Sequence, residues 1–185
     1  MLKKIPFPNC GEVLSRFELS EEAAEFINPE MAIEEGLLAL ARGETFIDFI
    51  GFVSHALPAR EAICWAAAVG DEMNGIDSSV LKQVRAWVTE PQESRRLACR
   101  ALAKKIGTET ASGWLCMAVD WNGSGSIAAP EDPQVAPPAY LYAKALIGAV
   151  GLLAPLDEAK REDFFKLMHE KALAVGGGSW PGVVN

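Results

Sequence analysis

The chain has 185 residues, half of them hydrophobic, and a formal net charge of −8. This length suits one ordinary domain that buries enough surface to need no disulfide or metal staple, and the apolar content excludes a mainly disordered chain. The acidic balance excludes a general affinity for nucleic acid or anionic lipid, which would need a strong local basic patch.

Residues 1–19 read as an N-terminal extension. Lys3 and Lys4 are followed by no apolar run, so the start does not resemble a signal peptide, and a cytoplasmic protein is expected. A helical domain is expected over 20–175. Ser20 before Glu21 and Glu22 reads as an N-cap with acids in the first turn. Asn28-Pro29 reads as a second start, with Met31, Ile33, Leu37, Leu38 and Ala41 as its apolar stripe and a stop near Gly43.

From Glu44 to Leu57 apolar residues surround nearly the whole helix, which places this segment mid-domain. Leu57-Pro58 forces a break, because a residue before proline avoids the α region. A helix then runs to about Met73 and ends at Asn74-Gly75. Asp77 and Ser78 start the next, with Val80, Leu81, Val84, Trp87 and Val88 at helical spacing. Thr89 and Gln92 have capping-box spacing before a helix that stops at Gly107, and Thr108 caps another ending near Trp121.

Residues 122–137 hold glycine, serine and proline without a period and read as one long loop. Pro138 opens the following helix, and Asp157 caps the last, which ends at Gly176-Gly177-Gly178. Residues 176–185 form a tail that folds back through Trp180. The longest apolar stretch, within Ala139 to Pro155, is too short to span a bilayer, so no membrane insertion is expected. The sum is an all-α, single-domain antiparallel array of about eight helices with one long Gly/Ser/Pro loop.

Candidate chemistry is sparse. Cys10, Cys64, Cys99 and Cys116 form no CxxC pair, and with only His55 and His169 besides, no metal site and no cofactor are expected. His55, Arg60 and Glu61 flank the helix break. They suit either a small acid–base or anion site or plain helix-end stabilisation. Arg95, Arg96, Arg100, Lys104 and Lys105 form a basic stripe, read as a solvated face or a dock for an acidic partner. The stripe lacks the interleaved aromatics of a nucleic-acid site.

Trp121 stands where a helix meets the loop, the position of an interface anchor. Behind it, Asn122, Gly123, Ser124, Gly125 and Ser126 offer backbone amides to a ligand, without the lysine or the strand–loop–helix setting of a phosphate loop.

His55 to Ala62 followed by Trp65-Ala66, then Trp114 to Ala118, then Asp120 to Pro130 resemble an uncharacterised bacterial family similar in context to accessory proteins found beside type VI secretion genes. The resemblance spans roughly residues 20–150. The chain departs from it at Cys64-Trp65, where two tryptophans are usual, and at Gly123-Ser124-Gly125, where paired glycines are. The resemblance implies a cytosolic accessory role and assigns no catalytic residue. The expected function is a protein–protein interaction module: an adaptor, chaperone or accessory protein with a protein partner. An enzyme using His55, Glu61 and Asp120, or an effector-binding, immunity-like protein, stand as alternatives.

Overall fold

A computed structural model describes residues 2–129 and 131–183. Met1, Pro130 of the long loop, and Val184 and Asn185 of the tail lie outside the described residues. The described residues form an all-α fold. Two single-turn helices, α1 (Gly11–Leu14) and α2 (Glu21–Ala24), precede eight longer ones. These are α3 (Ile33–Arg42), α4 (Phe46–Ala56), α5 (Ala59–Glu72), α6 (Ser78–Thr89), α7 (Glu93–Ile106), α8 (Ala111–Asp120), α9 (Leu141–Gly151) and α10 (Arg161–Gly176). A 3₁₀ turn at Glu158–Lys160 leads into α10. No helix among them is long and apolar enough to cross a membrane.

Two consecutive helices form the centre. Every residue from Asp48 to Ala56 in α4 is buried, and every residue from Glu61 to Gly70 in α5. Helix α5 packs on α6, α8, α9 and α10, and α4 packs on α3 and α9. Alanines at 62, 66, 67 and 68 leave room for these neighbours. Trp65 is fully buried, and its indole N–H donates to the carbonyl of Met168 at 3.0 Å, tying α5 to α10 while satisfying its polar tip.

Several helix starts shift from their sequence positions. Ser20 caps α2 as expected, its hydroxyl accepting from Ala23 N–H. Asn28 does not start α3. Its side-chain oxygen accepts from Glu30 N–H, closing a local turn, and the Met31 carbonyl accepts from Cys10 N–H. The helix begins only at Ile33, where the Glu35 carboxylate accepts from Ala32 N–H. The cap of α8 is Thr110 rather than Thr108, its hydroxyl accepting from Gly113 N–H. Helix α9 begins at Leu141, not Pro138, because Tyr140 sits in the left-handed region at φ 58°.

The N-terminal segment lies against the body, with Ile5, Cys10 and Val13 buried and Lys4 N–H donating to the Gly176 carbonyl. All four cysteines are free and buried, and burial pushes the Cys10 and Cys64 thiols up to about 11.

Trp65→Ala is expected to lower the unfolding free energy by about 3–5 kcal/mol, read from urea midpoints. A loss below about 1 kcal/mol would contradict its central place.

Candidate functional site

The basic stripe of α7 is divided by the fold. Arg96, Cys99, Arg100 and Ala103 share one face, and all four are buried. Within the stripe only Lys104 and Lys105 are exposed, so the solvated-face reading fails at the two buried arginines. The reason is Asp120, the last residue of α8, only 3% exposed. Arg96 Nη1 donates to Asp120 Oδ1, and Arg100 Nε donates to the same oxygen at 2.8 Å. Arg96 also grips Glu93 through two bonds of 2.5 and 2.7 Å.

Burial pushes the Asp120 carboxyl upward, while the hydrogen bond and charge of Arg100, then the charge of Arg96, oppose it. Both guanidiniums are permanently charged, so Asp120 is held as the carboxylate. The bond to Glu93 holds the Arg96 guanidinium still more firmly protonated.

The rest of Arg100 reaches into the loop, with Nη1 donating to the Ala128 carbonyl at 2.9 Å and Nη2 to that of Ser126. The loop closes on itself. Ser126 Oγ accepts from the N–H groups of Ala128 and Val135, and Ile127 N–H donates to the Val135 carbonyl at 2.8 Å. Asn122 Oδ1 accepts from Ser124 N–H at 3.1 Å. Gly125 has φ +70°, and a Cβ there would meet the Arg96 guanidinium nitrogens at 2.8 Å, so glycine alone fits. Residues 122–129 and 131–137 therefore belong to an Ω-type loop latched to a buried ion network.

Between this loop and the helices lies a cavity of about 380 Å³ lined by Trp121, Asp120, Met117, Ile127, Arg100 and Lys104, among others. Trp121 is half-buried and sits edge-on to Trp114, with ring centroids 6.3 Å apart. Trp114 in turn lies over Gly148 of α9, where a Cβ would be 2.9 Å from its ring. Among the described residues, the Trp121 indole N–H and Asp120 Oδ2 take no hydrogen bond. Both groups belong to residues that line the cavity.

The residues at the α4–α5 break have separate tasks. His55 Nδ1 donates to the Gly51 carbonyl at 2.7 Å, and its ring stacks on Phe17 at 4.9 Å and 15°. Burial pulls its pKa down, and the charge of Arg16 adds to this. Arg60 donates to the carbonyls of Val88 and Thr89 at 2.6 and 3.0 Å, satisfying the end of α6. Glu61 pairs with Lys4 at 3.0 Å. Lys4 and Arg60 also lie over the Trp180 ring, at 5.2 and 4.7 Å, so this cluster clasps the two ends of the chain. His55 and Asp120 line different cavities, of about 370 and 380 Å³, and Glu61 lines neither.

A family model matches residues 36–176. The chain belongs to DUF6931, a family of unknown function. No curated protein and no solved structure matches it. The DUF6931 region holds the Asp120 network, the latched loop, His55 and Trp121, whereas Phe17 and Arg16 precede it.

Asp120→Ala leaves two buried guanidiniums short of a counter-charge, and is expected to lower stability by about 3–5 kcal/mol in urea unfolding. An effect below about 1 kcal/mol would contradict the network's role. Burial holds both His55 and His169 below their ordinary value of 6.5. The folded chain therefore binds fewer protons than the unfolded chain as pH falls through 6.5, so these groups' stability is full above that pH and lost below it. The urea midpoint is expected to drop between about pH 7.5 and 5.5, and to drop less in the His55→Asn/His169→Asn double variant. An equal drop in both proteins would contradict the assignment.

Proposed function

We propose that the protein is a non-enzymatic interaction module that takes a short segment of a protein partner into the cavity edged by Trp121. The observation that carries this reading is a half-buried tryptophan whose indole N–H takes no hydrogen bond among the described residues, packed on Trp114 beside an apolar recess whose far wall is a loop fastened to a buried ion network. Preorganised aromatic anchors of this kind concentrate binding energy. Trp121 and Asp120 Oδ2 supply one donor and one acceptor, the pair that a peptide backbone needs. Met117 and Ile127 supply the apolar wall.

Lys104 lines the recess, is exposed and has no ion pair among the described residues, which favours acidic residues flanking the apolar one. This local charge sets the partner apart from the basic one that the net charge of −8 would suit in an immunity-like protein. An enzyme built on His55, Glu61 and Asp120 would bring the three into one cavity, and they do not line one. The resemblance to accessory proteins beside type VI secretion genes supplies the setting proposed here: a cytosolic adaptor or chaperone for a secreted component.

The test is selection from a displayed peptide library followed by titration of the winners. The expected winners carry a large apolar residue among Asp and Glu. Trp121→Ala should weaken them by about thirtyfold or more, corresponding to a loss of about 2 kcal/mol, with an unchanged helical spectrum. Unchanged affinity would refute the anchor role. Unfolding on substitution would make Trp121 a core residue and remove the surface claim.

A further inference from the structure

We propose that the second cavity, between the N-terminal segment and the start of α9, binds a small zwitterion carrying an apolar group, of the class of a free α-amino acid. This cavity shares no lining residue with the Trp121 recess and is independent of the reading above. Its volume, about 370 Å³, lies at the small end of ligand sites.

The argument rests on which charges are already engaged. Four charged residues line the cavity: Arg16, Glu18, Asp48 and Lys144. Arg16 donates to the His55 carbonyl at 2.8 Å, pairs with Glu12, and stacks on Phe7 and Tyr140. Asp48 accepts from Ser20 N–H and Oγ–H, both at 2.8 Å, fixing the start of α2. That leaves one cation and one anion, Lys144 and Glu18, neither of which has an ion pair among the described residues. A simple anion meets repulsion from Glu18, and a simple cation meets it from Lys144. A zwitterion satisfies both.

The neutral polar groups agree. His55 Nδ1 donates to Gly51, so neutral His55 presents Nε2 as an acceptor, and Nε2 takes no hydrogen bond among the described residues. The Tyr140 hydroxyl is likewise without a partner there. Phe17, Tyr140, Ile47 and Ile147 supply apolar surface, and Ile47 is 54% exposed. Tyr140 pays backbone strain at φ 58° to stand at this wall, as residues at ligand sites often do.

The test is isothermal titration of the full chain at neutral pH with L-phenylalanine and L-leucine. The single-charge analogues are 3-phenylpropionate and phenethylamine. Saturable binding of at least one amino acid is expected, with its analogues about tenfold weaker or worse. Lys144→Ala and Glu18→Gln each should weaken the amino acid about tenfold, and Glu18→Gln should strengthen 3-phenylpropionate. Both side chains are exposed, so the variants should keep the parent's helical spectrum. Trp121→Ala should leave this binding intact while weakening peptide capture, which separates the two sites. Absence of saturable heat with either amino acid, or analogues that bind equally well, would overturn the proposal.

Discussion

Asp120 ends α8 with two guanidiniums on one of its oxygens, and the order of the surface beside it follows from that arrangement. Removing a carboxylate and two arginines from water is costly, and only close opposite charge with well-filled hydrogen bonds repays it. Here the remaining donors are not idle: they close on Glu93 and on the loop carbonyls of Ser126 and Ala128. The same charges that stabilise each other therefore also fasten the loop at Ser126 and Ala128. Lysine at position 100 would not substitute, since one ammonium cannot place planar donors on a carboxylate and two carbonyls at once.

The latched loop gives the recess its shape. Ile127 and Ala129 are carried by the loop, Met117 and Trp121 by α8 and its end, and Lys104 by α7. Trp121 keeps its place through Trp114, which rests on the bare backbone at Gly148. A chain of packing thus runs from α9 to the half-buried indole. At the start of α9, Tyr140 lines the His55 cavity instead.

Much of the fold could be read from the amino-acid order. Apolar residues around nearly the whole circumference of 44–57 mark α4 as central, and Pro58 marks its end. The helix starts were less legible. Asn28-Pro29 carries the chemistry of a start, but backbone pairing between Cys10 and Met31 claims that stretch, and such a long-range bond leaves no local trace. The Asp120 network is hidden in the sequence for a different reason. Charge alone groups Arg96 and Arg100 with their basic neighbours, whereas their spacing with Cys99 and Ala103, i, i+3, i+4 and i+7, is that of a buried stripe. Arginines inside an apolar period signal a buried counter-charge elsewhere. Arg60 and Glu61 were legible as a pair at a helix break. Their partners, the end of α6, Lys4 and Trp180, were too distant in sequence to foresee.

The claim that a buried ion network holds the loop in one shape is tested most directly by amide hydrogen exchange. Slow exchange is expected at Ile127 and Val135, whose N–H groups are bonded within the loop. In Arg100→Lys, exchange at both should accelerate at least about tenfold while the amides of α4 and α5 keep their protection. Fast exchange at Ile127 and Val135 in the unaltered chain, or identical protection in Arg100→Lys, would contradict the account.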